Sequence, residues 1–144
     1  MKKQSYSNHR RYHYLYHGVL LVLVIFAVTG SFINLSNQME READLLPPVL
    51  LFTMSVIFAL MFYFIRHFGK RLQDRIIRAE ENNRHWMLTG KPLDGRLRMS
   101  QVVALRFSPD DEFIALAREA AEKQLTNDEI KKAINRWRGD YYRI

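Results

Sequence analysis

Four histidines are the side chains of this 144-residue sequence best suited to chemistry, because imidazole binds metals and haem and relays protons near neutral pH. His9, His13 and His17 are spaced four residues apart, so on a helix they would share one face. His67 follows an apolar run and is predicted at the same depth. No carboxylate lies nearby to complete or orient a site, so we expect no metal and no cofactor, and we favour an interfacial belt of His and Tyr rings. A metal- or haem-binding accessory of a respiratory complex is kept as an alternative.

Other catalytic chemistry has no basis in the sequence. The absence of cysteine excludes disulfides, thiolate metal ligands and cysteine nucleophiles. Phosphate-binding loops, dinucleotide fingerprints, HExxH motifs and GxSxG motifs are also absent from the sequence. We therefore predict that the protein is not an enzyme and assign no catalytic residue.

Residues 115–137 resemble a DNA-binding helix-turn-helix, with two predicted helices joined by a short turn. The basic side chains that would face a major groove are Lys131, Lys132, Arg136 and Arg138. The acidic side chains that would oppose phosphate are Glu119, Glu122, Asp128 and Glu129. These acids disfavour nucleic acid as a partner. A membrane-tethered DNA-binding regulator is nevertheless the main alternative function.

The formal net charge of +7 is concentrated beside two apolar runs. Residues 1–17 contain four basic residues and no acidic one, interleaved with aromatic rings, which suits the headgroup level of an anionic bilayer. Basic residues also follow the second apolar run. The side chains predicted at the lipid interface are Lys2, Lys3, Arg10, Arg11, Tyr12, Tyr16, Arg66, Lys70 and Arg71.

The two apolar runs predict two membrane spans, residues 18–35 and residues 47–65. The first run has no formal charge and would extend roughly 27 Å as a helix, close to the hydrocarbon thickness of a bilayer. The loop between them, residues 36–46, is acidic whereas both outer flanks are basic. The positive-inside rule therefore predicts that both termini are cytoplasmic.

Small side chains on the two runs predict close packing between the spans, because lipid supplies little hydrophobic drive for helices to associate. These residues are Ala27, Gly30, Ser31, Ser55 and Ala59. We favour packing within the chain over packing against another subunit.

The second span is predicted to continue into a basic amphipathic helix over residues 66–88. Apolar residues recur at helical spacing at Phe68, Leu72, Ile76, Ala79, Trp86 and Met87. Glu80 with Arg84, and Glu81 with His85, have the spacing of ion pairs on an exposed helix. Gly69 leaves open whether the helix is straight or bends onto anionic lipid.

The sequence Thr89-Gly90-Lys91-Pro92 predicts the end of this helix and the start of a linker over residues 89–97. Residues 98–144 are then predicted to form a cytoplasmic module of three short helices. The first covers about residues 99–107, the second begins with Ser108 as N-cap, and the third begins with a capping box at Thr126 and Glu129.

Helices this short are marginal alone, so their apolar faces should bury one another or a partner. The stripe of the third helix is predicted to run through Ile130, Ala133, Ile134 and Trp137. The residues expected in the module core or at a partner contact are Phe107, Phe113, Ile114, Ile130, Ile134 and Trp137.

Three stretches carry a resemblance to a known family. They are QSYSNH at residues 4–9 with Arg11-Tyr12 and Tyr16-His17, SQVVALRF at residues 100–107, and IKKAINRW at residues 130–137 with Asp140 and Arg143. The chain resembles a family of small bacterial two-span membrane proteins labelled as a domain of unknown function. The resemblance covers nearly the whole chain and implies a bacterial inner-membrane protein with a helical cytoplasmic tail. It supplies no activity.

The sequence thus predicts an all-α membrane protein with a two-helix transmembrane hairpin, a long juxtamembrane helix and a small cytoplasmic three-helix module. The expected function is a non-enzymatic accessory or scaffold protein of the bacterial inner membrane, acting as a subunit of a larger complex. The expected partners are anionic lipid of the cytoplasmic leaflet and another protein or a second copy of the chain.

Overall fold

The computed structural model describes residues 5–6, 13–42 and 44–139, and these residues form helices without any strand. A π-helical turn, Leu15–Leu20, leads directly into α1, Leu21–Glu40. The remaining helices are α2, Leu46–Thr89; α3, Met99–Leu105; α4, Asp110–Glu122; and α5, Asn127–Ala133. The chain divides into two compact units, Arg11–Gly69 and Lys70–Ile144 with Met1–Arg10. We call them the apolar unit and the charged unit.

Two helical stretches are long and apolar enough to cross a membrane, by length and composition: Leu15–Glu40 and Leu46–Thr89. α1 continues past the uncharged run to Glu40, so the predicted loop over residues 36–46 is shorter than expected. Residues 38–40 are Gln, Met and Glu, which are good helix formers and extend the last turns. The Asp44 carboxylate accepts a hydrogen bond from the Leu46 amide (3.0 Å) where α2 begins.

α2 is a single helix that runs through Gly69 without interruption. Its end confirms the prediction, because Gly90 adopts a left-handed conformation (φ 69°) and its amide donates to the Trp86 carbonyl (2.7 Å). A residue with a side chain would be strained in this conformation.

The core of the charged unit lies among α3, α4, α5 and one residue of α2, Ile77. The predicted core residues Phe107, Phe113, Ile130 and Ile134 are buried there, and Trp137 packs against them. Ile114 is 38 % exposed and lies outside this core. The largest fully buried side chains are Phe107, Phe113, Leu97, Leu105, Ile130, Gln101, Val102 and Ser108.

The predicted role of Ser108 as N-cap of α4 is wrong. The cap position is Pro109, which is extended (ψ 166°), and α4 begins at Asp110. Ser108 is buried, and its hydroxyl donates to the Leu105 carbonyl (2.6 Å) at the end of α3. The hydroxyl therefore bonds to a terminal carbonyl of α3 and does not cap the amides at the start of α4.

The capping box at the start of α5 is confirmed, because the Thr126 hydroxyl accepts from the Glu129 amide (3.2 Å) and the Glu129 carboxylate accepts from the Thr126 amide (2.7 Å). The helix is shorter than its apolar stripe predicts and ends at Ala133, which is exposed. The Glu112 carboxylate accepts from the amides of the two residues that follow Ile134, at 2.9 and 3.2 Å. Ile134 and Trp137 therefore reach the core from non-helical chain.

Candidate interaction surfaces

Within the apolar unit, the structure brings together one pair of the small residues predicted to pack the spans. The hydroxyls of Ser31 in α1 and Ser55 in α2 are 2.9 Å apart, and both residues are buried. Ala59 is half-buried, whereas Ala27 and Gly30 are exposed. The two serines form a hydrogen-bonded contact between α1 and α2, of the kind that polar side chains make between membrane helices.

The described residues among those predicted at the lipid interface differ in their exposure. The half-buried Tyr16 donates from its hydroxyl to the Phe62 carbonyl (2.6 Å), and its ring stacks on that of Phe62 at 4.5 Å between centroids. Arg66, Lys70 and Arg71 are exposed on α2. The other predicted interface residues lie outside the described part of the chain: Lys2, Lys3, Arg10, Arg11 and Tyr12.

The histidines form aromatic and local contacts. His17 donates from Nδ1 to the His13 carbonyl (3.1 Å), and His67 stacks on Tyr63 at 5.7 Å. His9 lies outside the described residues. Among residues 5–6, 13–42 and 44–139, no three His, Asp or Glu side chains are grouped in a way that could hold a metal ion.

Tyr6, near the N-terminus, contacts α5. The Tyr6 hydroxyl lies 2.8 and 2.9 Å from the two carboxylate oxygens of Asp128, and the Lys132 ammonium lies 5.7 Å from the centre of the Tyr6 ring. The hydrogen bond from Tyr6 and the contact with Lys132 lower the pKa of the Asp128 carboxyl.

Of the basic residues of the predicted helix-turn-helix, Lys132 and Arg136 pair with acids, and Arg136 and Arg138 lie outside the second helix. Lys132 forms an ion pair with Asp128 (3.1 Å), and Arg136 pairs with Asp111. Because α5 ends at Ala133, Arg136 and Arg138 are not part of it. The described residues therefore do not align these cations along one helix face, which a major-groove reader needs.

Arg84 connects α2 to the rest of the charged unit. It donates to Glu81 (3.0 Å), to Asp110 (2.7 Å) and to the Ser108 carbonyl (2.8 Å). Its guanidinium lies 4.2 Å from the centre of the Phe113 ring. The planar guanidinium serves these acceptors together, which a lysine could not do.

The predicted surface pairs of α2 are therefore wrong. Arg84 pairs with Glu81 rather than Glu80, and Glu81 is only 6 % exposed. His85 donates from Nδ1 to the Lys91 carbonyl (2.8 Å) instead of pairing with Glu81. The charged face of the helix packs against α4 and the linker, so these side chains bond to them rather than to each other.

The apolar stripe of α2 is exposed within the charged unit. Trp86 is 54 % and Met87 is 77 % exposed, whereas Ile77, which points elsewhere on the helix, is buried. We call the exposed set the α2 stripe: Leu72, Ile76, Ala79, Trp86 and Met87. Helical periodicity identified this stripe but missed Ile77, because it cannot say which side of a helix is covered.

A shallow groove lies beside this stripe, between α2 and the linker. It is lined by Arg75, Arg78, Ala79, Asn82 and Leu93, and we call it the Arg75–Arg78 groove. The Leu93 amide donates to the Asn82 side-chain oxygen (2.9 Å), and Arg78 donates to the Leu97 carbonyl (3.1 Å). These two bonds hold the linker against the helix and define the groove.

The sequence profile of a family of unknown function, DUF6526, matches residues 1–144. The chain belongs to the DUF6526 family. No curated protein and no solved structure matches it. The resemblance to a domain of unknown function is thereby confirmed.

Described residues from each of the three stretches that carry the DUF6526 resemblance contact one another in the charged unit. Phe107 and Trp137 stack at 4.9 Å, and the Arg138 amide donates to the Phe107 carbonyl (2.7 Å). Lys132 lies over Tyr6, as described above. In the described residues, these stretches therefore build the core and the N-terminal contact.

Gln101, within the second of these stretches, is a structural residue that sequence reasoning missed. It is fully buried, donates to the Ala120 (3.2 Å) and Leu125 (2.8 Å) carbonyls, and accepts from the Arg98 amide (2.7 Å). A glutamine at the third position of a helix is the signal that could have identified it, because this residue type closes a capping box.

Proposed function

We propose that this DUF6526 protein is a non-enzymatic accessory or scaffold subunit of a bacterial inner-membrane complex. Two spans anchor the chain, and the charged unit is the cytoplasmic module that binds another protein. The observation that carries the proposal is the exposure of Trp86 and Met87 at the distal end of the α2 stripe.

Trp86 and Met87 are suited to a protein contact. Tryptophan and methionine are enriched at protein interfaces, and tryptophan is a frequent energetic anchor there. The buried core of the charged unit includes Ile77, on another side of α2, and none of the stripe residues. Neighbouring exposed apolar side chains mark an interaction site more often than isolated ones do.

The contact between Tyr6 and Asp128 supports an even number of membrane crossings. The two residues flank both candidate spans and are hydrogen-bonded, which favours one compartment for both. The basic flanks of the spans favour the cytoplasm for that compartment.

Site-specific photo-crosslinking in native membranes tests the proposed partner. With a photoreactive phenylalanine at Met87, we expect a discrete adduct to another protein or to a second copy. The matched control is the same amino acid at Glu122, an exposed position on α4. Absence of a protein adduct at Met87, or equal adducts at both positions, would contradict the proposal.

The absence of native cysteine allows a direct test of topology, because one introduced cysteine is then the only thiol. A membrane-impermeant maleimide applied to intact cells should label Arg41→Cys and spare Arg118→Cys. Labelling of Arg118→Cys in intact cells would rule out the proposed orientation.

A further inference from the structure

The Arg75–Arg78 groove presents nitrogen donors and no carboxylate. Arg75, Arg78 and Asn82 line it, and the Asn82 oxygen is already occupied by the Leu93 amide, which leaves the amide nitrogen as a donor. Within the described residues, no carboxylate forms an ion pair with Arg75 or Arg78. By contrast, Arg84, Arg96 and Arg136 all have acidic partners.

This donor set matches a phosphate-bearing anion. A guanidinium presents parallel N–H groups that bind phosphate oxygens in pairs, and the resulting charge-assisted hydrogen bonds are stronger than neutral ones. The surrounding helix adds to the positive potential, because residues 66–78 contain five basic residues and one acidic residue. The groove is therefore electrostatically and chemically suited to an anionic phosphate.

The neighbouring surface favours a lipid over a free phosphate. Leu72 and Ile76, from the proximal half of the α2 stripe, are exposed on the same turns of the helix. A phospholipid offers both an anionic headgroup and an apolar region, so it can occupy both surfaces, whereas inorganic phosphate leaves the apolar side chains in water. The apolar run at residues 47–65 belongs to this same helix, α2.

We propose that the Arg75–Arg78 groove binds the headgroup of an anionic phospholipid. This inference rests on the proposed membrane location but not on the proposed protein partner. Arg75 and Arg78 hold the phosphate, Asn82 donates to it, and the linker residue Leu93 forms the opposite wall.

Native mass spectrometry of the full chain in an uncharged detergent tests the groove. The probes are a phosphatidylglycerol, a phosphatidylcholine of the same acyl chains, and inorganic phosphate as competitor. We expect the Arg75→Gln/Arg78→Gln variant to bind phosphatidylglycerol about tenfold more weakly, since it loses charge-assisted hydrogen bonds. The matched control, Lys91→Gln/Arg118→Gln, removes the same charge from exposed positions and should bind like the wild type.

Arg75→Gln alone separates binding from folding. The Arg78 side chain bonds to the Leu97 carbonyl, whereas the Arg75 side chain forms no hydrogen bond or ion pair with another described residue. Arg75→Gln should therefore weaken lipid binding without changing the urea midpoint of the charged unit. Unchanged lipid binding in this variant and in the double variant would overturn the proposal.

Three other outcomes would also overturn the lipid assignment. They are equal losses in the groove and control variants, equal binding of the two lipids, and displacement of lipid by an equal concentration of inorganic phosphate. Crosslinking at Met87 is read separately in the Arg75→Gln background. If the Met87 crosslink persists but the lipid test fails, only the proposed lipid site is rejected. If lipid binds as expected but no Met87 crosslink forms, only the proposed protein partner is rejected.

Discussion

Replacing Arg84 with methionine should destabilise the charged unit by about 3–5 kcal/mol. Methionine keeps much of the apolar stem over Phe113 but removes the guanidinium, so Glu81 is left buried without its partner. Removal of one member of a buried ion pair typically costs that amount. Asp110 is 65 % exposed on its side chain and can be rehydrated, so its lost contact adds less than about 1 kcal/mol.

The tryptophans of the chain provide the assay. Trp86 and Trp137 are its two tryptophans, and both lie in the charged unit. In a Trp86→Phe background, the fluorescence of Trp137, which stacks on Phe107, reports urea unfolding of this unit in the full, detergent-solubilised protein. The urea midpoint should fall while the slope of the transition stays constant, because the surface exposed on unfolding is unchanged.

A double variant separates the loss of the ion pair from the loss of packing. Glu81→Met with Arg84→Met places apolar side chains where the buried pair lay, so much of the destabilisation should be recovered. The reasoning is refuted if Arg84→Met costs less than about 1 kcal/mol. It is also refuted if the double variant costs the sum of the two single variants, since contacting residues should not be additive.

Two further perturbations test the folding of the same unit. Gln101→Leu leaves the Ala120 and Leu125 carbonyls without their donor and should cost about 1–3 kcal/mol in the same urea assay; an unchanged midpoint would contradict this. Hydrogen bonds from the Thr126 amide and hydroxyl lower the pKa of Glu129 below its ordinary value of 4.5. These bonds therefore contribute to folding stability above pH 4.5, and this contribution is lost as the pH falls through the folded-state pKa. Thr126→Ala keeps the amide donor and removes only the hydroxyl, so it should flatten this pH dependence in part, whereas Thr126→Ser should retain it; equal profiles would exclude the hydroxyl as a contributor.

Local features of this protein could be predicted from the sequence. The apolar runs identified the two candidate spans, because the length of an apolar run can be read from the sequence and compared with the thickness of a bilayer. The end of α2 at Thr89 and the capping box at Thr126 follow from glycine conformation and from side-chain bonds to backbone within three residues. The buried serine pair lay on small-residue faces that the sequence already showed.

Only the tertiary structure decided which surfaces of these helices are covered. Ile76 and Ile77 are adjacent and chemically identical, yet packing of α3, α4 and α5 buries Ile77 and leaves Ile76 exposed. The Ser108 hydroxyl donates a hydrogen bond to a carbonyl of α3. The Glu112 carboxylate accepts a hydrogen bond from a backbone amide that follows α5. Such outcomes depend on groups that lie far apart in the sequence. Helical periodicity could therefore locate the amphipathic stripe of α2, but only the fold determined that this stripe is exposed.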